Sequence, residues 1–168
     1  MKRFVLNYVT ICVVWALGLS HTAAAETGAE ILRETAVTGG LVVHLGCGTG
    51  ELCASLRASD SLIVHGLDRK ASAVKQARAR VSAQGLAGKV SISRLYGDAL
   101  PFIDNTVNLV VVEPNCGIER SEITRVLSPG GSVYFRGRQQ DKVARKSPSS
   151  AQDEWTHYLY DASNNAVS

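Results

Sequence analysis

The sequence has few of the residues that define the specialised classes of protein. Its 168 residues include only 4 cysteines and 4 prolines, and aromatic residues make up 6%. The 18 Lys and Arg residues nearly balance the 15 Asp and Glu residues, so charge alone does not indicate nucleic-acid binding. Because 45% of the residues are hydrophobic and 20% are charged, the composition is that of a globular protein, and the length allows about one domain.

The cysteines lack the spacing of a metal site. Cys12 lies in the N-terminal apolar stretch, and Cys47, Cys53 and Cys116 form no CxxC pair and accompany no histidine cluster. No metal site is therefore predicted. Cys47 and Cys53 flank a turn and the start of a helix, where a cysteine usually serves as a small buried hydrophobe. A disulfide between them is the less favoured alternative.

The first 25 residues have the three-part pattern of a secretory signal peptide. Lys2 and Arg3 precede an apolar run at residues 4–19, and the alanines at 23–25 supply a small-residue cleavage site, whereas a membrane-spanning helix needs about 20 apolar residues. We therefore expect residues 1–25 to direct export to the periplasm or the medium. An uncleaved N-terminus, which would leave the protein in the cytoplasm or anchored to a membrane, is the alternative.

Strand patterns alternate with helix patterns over residues 26–136, which we predict to form one α/β domain. Apolar, often β-branched runs predict strands, and apolar residues at helical spacing predict helices. The predicted strands are 41–45, 62–67, 90–95, 107–112 and 132–136, and the predicted helices are 29–37, 51–58, 70–84 and 118–127. This alternation predicts a doubly wound fold with a mostly parallel, Rossmann-like sheet and helices on both faces.

Residues 137–168 do not continue the alternation. The basic residues after 136 are interleaved with Gln, Ser and Pro, which predicts a linker, and the aromatic stretch 153–161 is too short to pack a core alone. The sheet would then be incomplete at its C-terminal strands, with the fifth strand as an exposed edge. We expect the stretch 153–161, a further domain that the chain leads into, or a partner to cover that edge.

A glycine-rich loop, Gly-Cys-Gly-Thr-Gly at residues 46–50, follows the first predicted strand. Parallel α/β sheets bind ligands over the carboxyl ends of their strands, although a turn from strand to helix also needs glycine for steric reasons. The P-loop lysine is missing, and Glu51 stands where a dinucleotide fingerprint has its third glycine. An acid in that first helical turn disfavours a pyrophosphate but tolerates an ammonium or sulfonium group.

Two acids follow the next two predicted strands. Asp68 comes directly after the second strand, where an acid can accept hydrogen bonds from both ribose hydroxyls; the alternative is a cap for the following helix. Asp98 follows the third strand and could accept from an adenine amino group; the alternative is a turn residue. Taken together with the glycine loop, the two acids favour a nucleoside ligand.

These residues resemble the class I S-adenosylmethionine-dependent methyltransferases, and most closely their ubiquinone/menaquinone-biosynthesis-like, type 11 group. The similarity spans residues 29–136. It rests on four stretches in the order of the family: 42–50, Asp68, 97–105 and 125–131. The resemblance implies the class I methyltransferase fold, S-adenosylmethionine as cofactor and methyl transfer to an acceptor, which we expect to be a small molecule.

The resemblance also implies roles for individual residues. The expected contacts are Gly46, Cys47, Gly48 and Gly50 with the methionine part of the cofactor, Asp68 with the ribose, Asp98 and Ala99 with the adenine, and Glu113 with the methionine end or the acceptor. The methyl group is already activated, so proximity and orientation would suffice for catalysis and no catalytic residue is predicted. His44 and His65 lie inside strands, where we expect core or face residues rather than bases.

The sequence also departs from the family pattern. Asn108 stands where the fourth strand usually has Asp, and the short loop between Val112 and Ile118 predicts a reduced acceptor pocket. Export would in addition separate the protein from a cofactor that is held in the cytosol. Two alternatives therefore stay open: a catalytically inactive nucleoside-binding or scaffolding module of an exported protein, and a nicotinamide-dependent oxidoreductase.

Overall fold

The computed structural model describes residues 27–138 and 140–148. The predicted signal peptide and the aromatic stretch 153–161 lie outside these residues. The helices are α1 (Gly28–Thr35), α2 (Glu51–Leu56), α3 (Ala71–Ala83) and α4 (Arg120–Val126). The strands are β1 (Gly40–Leu45), β2 (Leu62–Asp68), β3 (Val90–Arg94), β4 (Val107–Val112), β5 (Leu127–Phe135) and β6 (Val143–Arg145). A search of the described helices finds none with the length and apolar character that a bilayer crossing requires.

The six strands form one sheet in the order β3-β2-β1-β4-β5-β6. The first five strands run parallel, and β6 runs antiparallel to β5. From β1 the chain builds the sheet to one side through β2 and β3, and then to the other side through β4 and β5. The predicted doubly wound, mostly parallel fold is confirmed. Its switch point lies between β1 and β4, where diverging loops leave a crevice.

Two apolar layers attach the helices to the sheet. On one face, Ile31 of α1, Leu56 of α2 and Val74 of α3 belong to the same cluster as Val42 and Val111 of the central strands. On the other face, the part of the chain that the structure describes contributes one helix, α4, together with the loops that precede β4. Because the central strands are covered on both faces, they read as nearly continuous apolar runs.

The start of α1 has a complete capping box. The Thr27 hydroxyl accepts a hydrogen bond from the Glu30 N–H, and the Glu30 carboxylate accepts one from the Thr27 N–H at 2.8 Å. Two backbone donors that would otherwise lack partners are thus satisfied at the first turn. The helix ends at Ala36, which has a left-handed φ of 56°.

The strand β5 contains a bulge at the Ser-Pro-Gly-Gly segment, residues 128–131. Val107 of β4 pairs with Leu127 of β5, and Leu109 pairs with Ser132. Because β5 has more residues than β4 between these two pairs, its extra residues form a bulge. Gly130 has a φ of 74°, a conformation that glycine adopts readily. The bulge lets β5 begin five residues earlier than the predicted 132–136.

The prediction of no strand after residue 136 is wrong. Residues Val143–Arg145 pair with Ser132–Tyr134 of β5, so part of the predicted linker is β6, and β5 is not an exposed edge. Three residues are too few to show a strand period in the sequence. The unpaired N–H and C=O groups of an edge strand nonetheless accept any extended segment that reaches them.

Candidate functional site

The glycine loop after β1 exposes its backbone to the crevice at the switch point. Gly46, Gly48 and Gly50 have φ values of 81°, 52° and 76°, in the left-handed region that suits glycine. A Cβ on Gly46 would lie 3.0 Å from the Cβ of Glu113, and one on Gly50 would lie 2.8 Å from the Cβ of Ala77. A Cβ on Gly48 would meet only the Gly46 carbonyl oxygen, at 4.0 Å. Packing therefore requires two of these glycines, whereas Gly48 faces open space.

Asp68 connects the end of β2 to this loop. Its Oδ2 accepts a hydrogen bond from the Gly48 N–H at 2.9 Å, and its Oδ1 accepts one from the Lys70 N–H at 2.8 Å. The N-cap residue of α3 is Lys70 and not Asp68, so the capping alternative does not hold. An ionised carboxylate has about four acceptor positions, which leaves both oxygens able to accept further hydrogen bonds from a ligand.

Glu113 follows β4 on the opposite side of the loop. Its Oε1 lies 3.0 Å from His44 Nε2 and also accepts a hydrogen bond from Arg136 Nη1. Burial by itself would raise the pKa of Glu113, but the hydrogen bonds from His44 and Arg136 outweigh it and hold that pKa below its usual value. Glu113 is therefore an anion at neutral pH, with His44 donating from Nε2.

The contact between His44 and Glu113 extends inward to a thiol. His44 Nδ1 lies 3.3 Å from Cys53 Sγ, and both residues are buried. A hydrogen bond with Cys47, together with burial, raises the pKa of the Cys53 thiol well above its usual value. Cys47, Cys53 and Cys116 are free thiols. No group of three His, Cys, Asp or Glu residues in the described part of the chain could hold a metal ion.

Two cavities flank the glycine loop, and both are lined by Gly46, Gly48, Thr49 and Glu113. The cavity on the α2 side measures about 500 Å³ and includes Glu51 and Arg136 in its wall. The cavity on the α3 side measures about 420 Å³ and includes Asp68. Together they form a crevice that crosses the loop, with Asp68 towards one end and Glu113 at its centre.

Asp98 and Ala99 lie outside this crevice. The Asp98 carboxylate accepts a hydrogen bond from Arg69 Nη2 at 2.8 Å, and its side chain is 82% exposed. Ala99 is exposed as well. Arg69, which does line the cavity on the α3 side, also donates to the carbonyl oxygens of Cys116 and Gly117. The adenine contacts of Asp98 and Ala99 stay a prediction.

Reasoning from the sequence missed the roles of His44 and Arg136. It placed His44 in the core and assigned nothing to Arg136, yet both contact Glu113. The alternation of side chains along a strand contained a signal for His44. His44 pairs in register with Val111 of the neighbouring parallel strand. Glu113 comes two residues after Val111 and therefore lies on the same face of the sheet as His44. Nothing local in the sequence indicates Arg136, which comes from the end of β5.

Comparisons with known proteins identify similar sequences and structures. Residues 42–131, more than half of the chain, match a family described as a methyltransferase domain. A demethylmenaquinone methyltransferase of Lactiplantibacillus plantarum is 33% identical over 137 residues, which cover 76% of this chain and 56% of that protein. The chain thus spans about half the length of this curated relative.

Solved structures show the same fold. A SAM-dependent methyltransferase from Aquifex aeolicus superposes with a TM-score of 0.54 and 20% identity, over 64% of this chain and 62% of that one. A geranyl diphosphate methyltransferase, solved in complex with SAM, has a TM-score of 0.58 and 19% identity, over 64% of this chain and 46% of that one.

Proposed function

Because the chain belongs to the family of class I S-adenosylmethionine-dependent methyltransferases, we propose that it binds S-adenosylmethionine in the crevice across the glycine loop and transfers the methyl group to a small-molecule acceptor. The observation that carries the proposal is the exposed backbone of Gly48. It faces open space and is held by Asp68, at the position where an open α/β sheet binds its ligand.

The charges of the cavity on the α2 side complement the positively charged methionine part of S-adenosylmethionine. This cofactor carries an ammonium, a sulfonium and a carboxylate, and hence one net positive charge. The cavity on the α2 side has the carboxylates of Glu51 and Glu113 and the guanidinium of Arg136 in its wall, and hence one net negative charge. Asp68 retains acceptor capacity for ribose hydroxyls. These residues fit the cofactor.

The residues of the chain contribute by positioning. Bound S-adenosylmethionine supplies an already activated methyl group, so the protein needs mainly to align a nucleophile and exclude water. Asp68 and the loop backbone orient the nucleoside and the methionine part. Glu113, kept ionised and oriented by His44 and Arg136, is the anion that faces the positive end of the ligand.

Calorimetric titration of the purified chain with S-adenosylmethionine, S-adenosylhomocysteine and NAD tests the proposal. We expect heat from the first two ligands and none from NAD. Heat from NAD alone would replace the proposal with the oxidoreductase alternative. No heat from any of the three would overturn it in favour of an inactive module.

A further inference from the structure

A third cavity, which we call the arginine cavity, adjoins Glu113 and is rich in cationic side chains. It measures about 390 Å³ and lies at the carboxyl ends of β4 and β5, between the loop after β4, the start of α4 and the chain after β5. Arg120, Arg136 and Arg138 line it, and among the described residues of its wall only Glu113 is an acid. Although the loop after β4 is short, its residues form part of the wall of this cavity of about 390 Å³.

The guanidinium groups of Arg120 and Arg138 both lie against the ring of Phe135. Their Cζ atoms lie 5.0 Å and 4.4 Å from the centroid of the Phe135 ring, within the range of a cation–π interaction. Phe135 is itself buried, with 9% of its surface exposed. The buried ring therefore brings the two exposed arginines close to each other at the wall of the arginine cavity.

The charges in the arginine cavity are not balanced. Arg136 forms an ion pair with Glu113. Within the part of the chain that the structure describes, no Asp or Glu carboxylate forms an ion pair with Arg120 or Arg138. Two guanidinium groups that share one ring repel each other. An anion bound by both would relieve the repulsion, and the planar guanidinium suits a carboxylate or a phosphate ester.

The arginine cavity adjoins the proposed cofactor crevice. Glu113 and Arg136 line both the arginine cavity and the cavity on the α2 side. Pro114, Asn115 and Cys116 line both the arginine cavity and the cavity on the α3 side. A molecule in the arginine cavity therefore lies directly beside a cofactor bound at the glycine loop, as a methyl acceptor must.

We propose that the arginine cavity holds the methyl acceptor and that Arg120 and Arg138 bind an anionic group on it, either a carboxylate or a phosphate ester. This inference rests on the proposed function, because it names the class of acceptor for the same site. The methyl-accepting atom then lies on the Glu113 side of the acceptor, and the anion lies on the Phe135 side.

Calorimetry with simple probes tests the inference. The chain saturated with S-adenosylhomocysteine is titrated with benzoate, with its neutral counterpart benzamide, with phenyl phosphate and with inorganic phosphate. We expect benzoate or phenyl phosphate to bind about tenfold more tightly than benzamide, and the tighter of the two identifies the anion. Equal affinity for benzoate, phenyl phosphate and benzamide would overturn the inference, and so would inorganic phosphate binding as tightly as phenyl phosphate.

Paired variants locate the binding. The double variant Arg120→Gln/Arg138→Gln should lose about tenfold in affinity for the preferred anionic probe and keep its affinity for S-adenosylhomocysteine, which also shows that it is folded. The matched control Arg33→Gln/Lys75→Gln removes two positive charges from exposed positions on α1 and α3 and should change neither affinity. An equal loss in both double variants, or no loss in the first, would overturn the inference. Failure of the unmodified chain to bind S-adenosylhomocysteine would instead overturn the proposed function.

Discussion

Gly48 differs from the glycines on either side of it because the space for its side chain is empty. A methyl group there would enter the crevice where the cofactor is proposed to bind. Gly85, after α3, provides a matched control: its φ is 68°, and a Cβ would meet nothing within 4 Å. Gly48→Ala and Gly85→Ala should both lose about 1–2 kcal/mol in unfolding free energy from left-handed strain.

Only Gly48→Ala should also weaken the binding of S-adenosylmethionine, by about tenfold or more, since its methyl group would displace the ligand from the backbone. Urea denaturation and calorimetric titration of both variants measure the two effects. Equal affinities in the two variants would show that the ligand does not approach Gly48.

Asp68 is the acid with the best-supported role in the crevice. The variant Asp68→Ala should weaken the binding of S-adenosylmethionine by about 1.5–3 kcal/mol, because it removes the charged acceptor of the Gly48 N–H and of the proposed hydrogen bonds from the ribose. Asp60→Ala is the control, since Asp60 pairs with Arg57 and Lys89 outside the crevice. An unchanged affinity in Asp68→Ala, measured by calorimetry, would limit Asp68 to supporting the loop.

At the scale of elements, Arg125 joins two of the four stretches that carry the family resemblance. From α4 it donates hydrogen bonds to the carbonyl oxygens of Leu100 and Phe102 and to the Asp104 carboxylate. It also pairs with Glu122, which accepts a hydrogen bond from the Leu100 N–H at 2.6 Å. The similarity in these stretches therefore reflects, in part, a structural clamp between α4 and the loop before β4.

Glu122 makes this clamp sensitive to acid. Hydrogen bonds from Arg125 and from the Leu100 backbone lower its pKa from 4.5 to about 2. A carboxyl with a lowered pKa stabilises the fold above its unfolded-state pKa of about 4.3, and the stabilisation is lost as the pH falls through its folded-state value.

Glu122→Gln should therefore reduce the unfolding free energy by about 1 kcal/mol at pH 7, allowing for solvent screening. The difference in unfolding free energy between this variant and the unmodified chain should become smaller as the pH falls from 4.5 to 2. Urea denaturation over this pH range measures it, with the exposed Glu34→Gln as control. A difference that is constant down to pH 2 would contradict the assignment.

The pairing of β6 with β5 is a second feature at this scale. The Phe135 N–H donates to the Lys142 carbonyl oxygen, and the Lys146 N–H donates to the Gly131 carbonyl oxygen. In an antiparallel pair of strands, hydrogen-bonded residue pairs alternate with pairs that are not hydrogen-bonded. Ala144, which pairs with Val133, lies midway between Lys142 and Lys146 and therefore belongs to a hydrogen-bonded pair. Ala144→Pro removes the Ala144 N–H donor and should cost about 1–3 kcal/mol, whereas Ala144→Val keeps this donor and should change stability by less than about 0.5 kcal/mol. Denaturation midpoints compare the two, and equal stabilities would show that β6 contributes little.

At the scale of the whole molecule, the compartment is a prediction from residues 1–25 alone. We expect export followed by cleavage, because two cations precede an apolar run that ends in small residues. Expression of the full chain with a C-terminal tag in a bacterium that has a periplasm should yield a product that begins at Glu26, as read by N-terminal sequencing. A product that retains residues 1–25 in the cytoplasmic or membrane fraction would favour the uncleaved alternative.

The sequence by itself determined the alternation of strands and helices and the edge of the sheet that carries the site. Both follow from local patterns: buried parallel strands are apolar runs, and the residues after them must meet at one edge. The glycine loop, Asp68 and Glu113 were predictable for this reason, since Asp68 is the last residue of β2 and the other two directly follow a strand.

Only the tertiary structure decided which of these residues act together. It showed that Gly48 alone of the three loop glycines faces open space, that His44 and Arg136 contact Glu113, which is 69 and 23 residues away from them, and that Asp98, which does not line the crevice, pairs with Arg69. Side-chain direction and contacts between distant segments depend on strand register and on the packing of separate elements, and no local periodicity encodes them.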